Sequence, residues 1–298
     1  MAITFPRLNP ILFKEEPVSV FEQSSRMYYQ KWNKKDYIIF QVNYDKNYFT
    51  KGEIIAKLVD AQGAECAVCL NDIIELPYTY QSIFRLSCNI ADGIYRIKLT
   101  TAGGKFSYYS NYFDIGDHVN TMLIQYTCRR NNFDCIFVTN EYLYSFFLRV
   151  EGDIKTSDIN YQSDDVFYTS QDRIMYLVDS IPFVTRKYTF GDSYGLPVWI
   201  ADRLNRIFAC DITDIDGARV IKNDGAKLEA TSSDAYPYLG LKIELLRQLE
   251  GYSEMLREDN EVMKSGLSLE LVNKENSYSV LGEKTGRIHI NTFTNEFD

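Results

Sequence analysis

Asp92-Gly93-Ile94-Tyr95-Arg96-Ile97-Lys98-Leu99-Thr100 is the stretch on which the fold class turns. Asp-Gly is a turn dipeptide, because glycine accepts the positive φ of a tight reversal without steric cost. Behind it, Tyr95, Ile97 and Leu99 alternate with Arg96 and Lys98, the period of a strand with one buried face. The strand runs into Ala102-Gly103-Gly104 and then Lys105-Phe-Ser-Tyr-Tyr109, which predicts a hairpin. Upstream, Tyr37–Asn43, Glu53–Val59 and Ser82–Cys88 carry further strand patterns.

The Asp92–Tyr95 turn resembles the tyrosine corner of immunoglobulin-like sandwiches. In that corner a Tyr at the start of a late strand bonds back to nearby backbone. One spacer between Asp and Gly is missing here, and the residues also read as an Asp-Gly turn ahead of an ordinary strand. Both readings require antiparallel β structure. The expectation is an immunoglobulin-like β-sandwich over residues 1–117, with 110–118 as its exit.

Residues 118–298 read as a β-rich α+β domain. Strands are expected at Thr121–Tyr126, Phe133–Val138, Tyr144–Val150 (ended by Glu151-Gly152), Asp164–Thr169, Arg173–Val178 and Arg186–Phe190. A short amphipathic helix is predicted at about 197–208. Pro197 suits a helix start, and Val198, Ala201, Leu204, Ile207 and Phe208 form an apolar stripe. Asp202, Arg203, Asn205 and Arg206 are placed mainly on its outer side. Asp216-Gly217 joins two short strands as a hairpin, and Asp224-Gly225 marks another turn. Leu239–Leu245 alternates aliphatic residues as a half-buried strand does. Residues 246–260 read as a helix or a projecting loop, and 268–272, 278–281 and 287–291 as late short strands.

Composition bounds the function classes. Of 298 residues, 45 % are hydrophobic and 24 % charged, which argues against wholesale disorder. The 23 Tyr and 18 Phe suit half-buried sheet and binding surfaces. A net charge of −9 argues against nonspecific binding to nucleic acid or to an anionic membrane. No stretch reaches the roughly 18 apolar residues of a membrane span, and the start, Met1-Ala-Ile-Thr-Phe-Pro, lacks the features of a signal peptide. Synthesis and folding in a cytoplasm are therefore expected.

Candidate chemistry is sparse. Cys66 and Cys69 form a CxxC, but neither a second pair nor His118 and His289 supplies zinc spacing, so the six cysteines are expected to be reduced structural thiols. Gly191-Asp-Ser193-Tyr-Gly195 matches G-x-S-x-G, yet the repeated βα units of a hydrolase are missing and His289 is the sole later histidine. The bland alternative is a glycine loop ahead of a helix. Asp164, Asp165, Asp211, Asp214, Asp216, Asp224, Glu258, Asp259 and Glu261 provide carboxylates without any sign of a facing pair. Asp211 to Gly217 resembles part of a calcium loop with the wrong spacing and no terminal Glu. No residue is nominated as catalytic, cofactor-binding or metal-binding; the expectation is no enzyme and no cofactor.

The run Arg186-Lys-Tyr-Thr-Phe-Gly191-Asp-Ser-Tyr-Gly195-Leu-Pro197-Val-Trp199-Ile-Ala-Asp-Arg-Leu-Asn205 resembles tail or baseplate proteins of phages and prophages of gut bacteria. Asp216–Glu229, Tyr236–Ile243 and parts of Ser110–Gly152 share that likeness, which covers about two thirds of the chain and carries no site motif. The resemblance implies a structural virion protein of a phage tail: a distal-tail, hub or baseplate-adjacent adaptor. Its implied partners are further copies of itself in a ring-like homo-oligomer and other tail proteins, with neither nucleic acid nor membrane insertion. The alternatives are a carbohydrate- or receptor-binding module at the tail tip, touching a host surface glycan, and an enzyme acting on a cell-surface polymer.

Overall fold

The computed structural model describes residues 3–14, 28–101, 103–104, 106–132, 134–139, 142–154, 159–191, 195–222, 225–231, 240–247 and 272–273. The chain is mainly β, with one helix among the described residues.

Its first body is a sandwich of two sheets. One sheet has the order β1-β4-β8-β7, from Ile3–Thr4 (β1), Tyr37–Asp45 (β4), Leu70–Glu75 (β7) and Thr79–Ser87 (β8). The other is built on Gly93–Thr101 (β9). On one side β9 pairs with Ile54–Asp60 (β5), which carries Glu65–Val68 (β6) at its edge. On the other it pairs with Ser107–Ser110 (β10) and Phe113–Gly116 (β11). Phe13–Lys14 (β2) joins β10, and Gln30–Asn33 (β3) runs parallel to β11. With β1, β4, β8 and β7 read as A, B, E and D, and β5, β9 and β10 as C, F and G, the order is that of an immunoglobulin-type sandwich. Ile38, Phe40 and Val42 from one sheet meet Trp32, Leu58, Ile97 and Leu99 from the other, all of them fully enclosed.

The corner expected at Asp92–Tyr95 forms. Gly93 opens β9, and Tyr95 Oη donates to the Ala91 carbonyl at 2.9 Å, which pins the entry into the strand. Ile97, two positions on, lies fully buried in the sandwich core.

Residues 110–118 were expected to leave the sandwich, but 113–116 still belong to it as β11. The chain changes sheets between Gly116 and Thr121. There His118 is tied to β3, its N–H donating to Asn33 Oδ1 at 2.9 Å.

The second body is a closed barrel. Thr121–Thr127 (β12) pairs with Phe146–Asp153 (β14), and β14 with Met175–Phe190 (β16). β16 pairs with Gly240–Arg247 (β20), and β20 with Ala218–Lys222 (β18). β18 pairs with Ile212–Ile215 (β17), which returns to β12. All six pairings are antiparallel, and because the β16–β20 pairing closes the ring it has no free edge of its own. Glu229–Thr231 (β19) adds to β20, Ile159–Thr169 (β15) adds to β16, and Tyr142–Leu143 (β13) pairs with Val272–Asn273 (β21). Side chains fill the interior: Ile124 and Tyr126 from β12, Leu148 and Val150 from β14, Phe190 from β16 and Ile243 from β20. Helix α1 (Val198–Ile207) contributes Ile200, Leu204 and Ile207 to the same core.

Four local expectations are corrected. Of the strand expected at 133–138, Phe133 lies outside the described residues and 134–138 are not a strand: this segment makes isolated bridges, and its Ile136 N–H and C=O both bond to the Gln41 side chain, at 2.9 and 2.6 Å. That amide takes the place of a neighbouring strand. β14 does not stop at Glu151-Gly152 but continues to Asp153, because barrel closure gives Gly152 a partner in Phe190. A Cβ at Gly152 would lie 2.8 Å from the Thr189 carbonyl and 2.7 Å from Met122 Cε, so the close strand approach requires glycine. On α1, Arg203 faces inward: it is buried, stacks over Trp199 at 4.3 Å and donates to the Ile11 carbonyl at 3.1 Å. Val198, assigned to the apolar stripe, is exposed.

The two bodies share a continuous interface. Phe147, Arg149 and Glu151 alternate with the inward residues of β14 and are buried against the sandwich. Phe147 enters the sandwich core, Arg149 pairs with Asp36, and Glu151 meets Lys31 at 3.0 Å and accepts from Tyr28.

Candidate assembly surface

The feature that stands apart from both cores is the hairpin β15–β16. Its strands pair continuously from Ile159↔Arg186 to Thr169↔Met175. Among the described residues β16 has its second neighbour, β20, only from Val184 to Phe190. From Gln162 to Thr169 the hairpin therefore projects without a sheet neighbour among the described residues, for about 26 Å at about 3.3 Å per residue.

Its tip is closed by ordered backbone bonds. Ser170 N–H donates to the Ile174 carbonyl at 2.9 Å, and Arg173 N–H to the Ser170 carbonyl at 2.9 Å. Arg173 takes the left-handed conformation that the reversal needs, with φ 63°. Lower down, Asp165 accepts from Ser163 Oγ at 2.9 Å and Ser180 Oγ at 2.6 Å, linking the two strands on one face. A bulge between Val166 and Phe167 bends the ladder and leaves Val178 as the extra residue on β16.

The chemistry of the tip does not match solvent. Phe167, Leu177 and Met175 share one face of the ribbon, and Val166, Tyr168 and Tyr176 share the other. From Tyr161 to Ile181, ten large apolar side chains each expose more than half of their surface. At about half of the 150–250 Å² that an aromatic side chain buries, this is on the order of 1,000 Å² of apolar surface. The largest patch on an ordinary monomer is about 300–600 Å².

The residues weighed for chemistry fall elsewhere and do not converge. Ser193 and His289 lie outside the described residues, as do Asp224, Glu258, Asp259 and Glu261. Cys66 is exposed on β6, while Cys69 is buried, where desolvation pushes its thiol up to about 12. Asp211 accepts from Arg129 N–H at 3.0 Å, Asp214 pairs with Arg219, and Asp216 accepts from Leu123 N–H at 2.8 Å. The carboxylates of that calcium-like stretch are thus each engaged by a different neighbour. Asp164 is exposed on the hairpin beside Asp165, one residue away and on the opposite face. His118 stands 3.7 Å from Asp114 at the passage between the bodies. Among the described residues no group of three or more His, Cys, Asp or Glu is placed to hold a metal ion.

No family model, no curated protein and no solved structure matches this chain.

Sequence reading located strands at 164–169, 173–178 and 186–190 but not their union into one ribbon. The signal was present: apolar residues on both strand parities flanking a short polar turn. That pattern also describes a strand buried on both faces inside a domain, so it did not disclose exposure.

Proposed function

We propose that this chain is a structural protein of a phage tail, a distal-tail, hub or baseplate-adjacent adaptor that works by protein–protein assembly. The observation that carries the reading is the β15–β16 hairpin, apolar on both faces and exposed along its outer half. A stable protein interface needs about 800 Å² from each partner, and the hairpin alone offers an amount of that order. Aromatic and Met side chains, enriched at its tip, are those favoured in interface centres. Two further features support an assembly role. Side chains fill the barrel interior among the described residues, and buried polar pairs tie the sandwich to it. Further copies of the chain arranged in a ring, with other tail proteins, are the proposed partners.

The test replaces residues 164–181 by an Asn-Gly turn, which joins the Ser163↔Pro182 pair, and compares mass in solution and incorporation into particles with the unaltered protein. Loss of assembly with an unchanged circular dichroism spectrum is expected. Unchanged assembly would refute the role given to the hairpin.

A receptor- or glycan-binding role is the second reading. Tyr48 and Tyr78 are both strongly exposed at one end of the sandwich, where Lys46 N–H bonds to the Tyr78 carbonyl at 3.2 Å. Exposed tyrosines there could stack on sugar rings, and binding to a glycan array lost in Tyr48→Ala and Tyr78→Ala variants would favour it.

A further inference from the structure

The outer face of the β9 sheet gathers positive charge in a chain whose net charge is −9. Strand register sets Lys14, Tyr109, Lys98, Lys57 and Val68 side by side across β2, β10, β9, β5 and β6. Phe13, Leu99 and Leu58, next to them in the chain, are buried in the sandwich core, so this row faces outward. Five strands about 4.8 Å apart make it about 19 Å long. Arg96 shares the face, two residues before Lys98 on β9. Its guanidinium stacks over Tyr109 at 4.6 Å and Tyr112 at 4.8 Å, and its Nε has no hydrogen-bond partner. The two rings hold this charge in place without neutralising it.

The row is electrostatically incomplete. Lys98 stands directly opposite Lys57, and like charges so placed destabilise a strand pair. Glu65 engages Lys57 at 2.7 Å, but Lys14, Lys98 and Arg96 form no ion pair among the described residues. The row ends on apolar surface: Val68 is 63 % exposed, and Leu70, at the start of β7, 74 %.

The projecting hairpin has the complementary pattern. Residues 162–181 contain four Asp and one Arg, a charge of −3. Asp165 accepts from two serine hydroxyls and Asp179 from the Ser180 N–H, none of which supplies a positive charge. Asp164, Val166 and Tyr168 share one face, with Asp179 across from Val166 and Tyr176 across from Tyr168. That face therefore presents two carboxylates and, four residues or about 13 Å further out, a pair of exposed tyrosines. On the row, Lys14 and Lys98 flank Tyr109, which stands three strand spacings, about 14 Å, from Val68.

We infer that this face of the hairpin docks along the row of a second copy of the chain. Asp164 and Asp179 meet Lys14, Lys98 and Arg96, and the Tyr168–Tyr176 pair rests on Val68 and Leu70. The inference rests on the reading of the hairpin as an assembly element and names its receptor. Within one chain both surfaces stay exposed, so the contact is made between copies. Pairing of hairpin with hairpin is opposed by the −3 charge that each carries. Hairpin on sandwich is a heterologous contact, the kind that repeats around an axis to close a ring.

The experiment measures self-association of the full chain by sedimentation at rising concentration. Lys14→Glu with Lys98→Glu, and separately Asp164→Lys with Asp179→Lys, should each weaken association at least about tenfold, with unchanged circular dichroism spectra. Mixing the two double variants, or combining all four substitutions in one chain, should restore it, because each hairpin then meets a receptor of opposite charge. Raised salt should weaken association of the unaltered chain. Association lost on replacement of the hairpin but untouched by Lys14→Glu with Lys98→Glu overturns this inference and leaves the assembly reading standing. Association untouched by replacement of the hairpin overturns both. Lack of rescue in the mixture and in the fourfold variant overturns the docking. So does an unaltered chain that stays monomeric up to about 1 mM. Retention on an anionic polysaccharide that Lys14→Glu with Lys98→Glu abolishes, with self-association unchanged, assigns the row to another acidic partner and also overturns it.

Discussion

Arg149 and Asp36 form a bidentate ion pair across the junction of sandwich and barrel. The guanidinium Nη2 lies 2.9 Å from Asp36 Oδ1, and Nε donates to Oδ2. Both residues are buried, and Arg149 Nη1 also donates to Thr121 Oγ1 at 2.9 Å. Asp36 is fixed in turn by Asn33 N–H at 2.8 Å. One side chain thus ties a barrel strand to the turn between β3 and β4, and its forked geometry sets the angle of approach as well as the contact.

Removal of one partner leaves a buried charge uncompensated. Arg149→Met and Asp36→Leu are each expected to destabilise the fold by about 3–5 kcal/mol, whereas the double variant should recover most of that loss. Urea-unfolding midpoints of the three proteins measure it. Additive losses in the double variant would show that the two groups are not coupled.

Gln41 carries the second polar seam. Its backbone exchanges bonds with Asn9 at 2.7 and 2.8 Å, its side chain serves both backbone groups of Ile136, and Gln81 Nε2 donates to its Oε1. Gln41→Leu should cost about 2–4 kcal/mol, because the buried Ile136 N–H and C=O lose their partners together. Hydrogen exchange at the Ile136 amide, protected in the unaltered protein, is expected to accelerate more than exchange in β9.

Tyr95→Phe deletes one hydroxyl and its bond to the Ala91 carbonyl while keeping the ring in place. A loss of about 1 kcal/mol is expected. Thermal melting that is unchanged within error would mean that the corner is held by the Gly93 turn alone.

Gly152→Ala forces a methyl group against the Thr189 carbonyl, backbone that cannot move without opening the β14–β16 seam. Destabilisation of at least about 1–3 kcal/mol is expected, measured by chemical unfolding. Gly217→Ala has open space around the new Cβ but a φ of 76°, so its penalty comes from backbone conformation alone and should be smaller, about 1 kcal/mol.

Phe167→Glu with Tyr176→Glu places a charge on each face of the hairpin tip. Both positions are exposed, so monomer stability should change by less than about 0.5 kcal/mol. Association, measured by light scattering at increasing concentration, should be lost. Retained association with these charges in place would exclude the tip from the interface.

Much of the local structure was legible from spacing alone. The Asp216-Gly217 hairpin is as expected, with φ of 48° and 76° at its centre, because a two-residue turn of that hand demands two left-handed residues. The alternation of Leu241, Ile243 and Leu245 marks the inner face of β20. Arg203 was misread because a helical pattern separates polar from apolar but does not see a Trp ring and a free carbonyl waiting on the inner side.

The sequence by itself determined most of the longer strands, the Asp-Gly turns at 92–93 and 216–217, and which face of those strands is apolar. These follow from backbone sterics and from a side-chain period that is read locally. The tertiary structure alone decided what each apolar face meets. The pairing of β16 with β20 closes the barrel, the turn of Phe147 and Arg149 toward the sandwich joins the two bodies, and the same strand pattern that fills both cores is left exposed on the hairpin. The physical reason is that hydrophobic burial is non-directional: a period of two states that a face avoids water, while the partner is chosen by contacts between residues far apart in the chain.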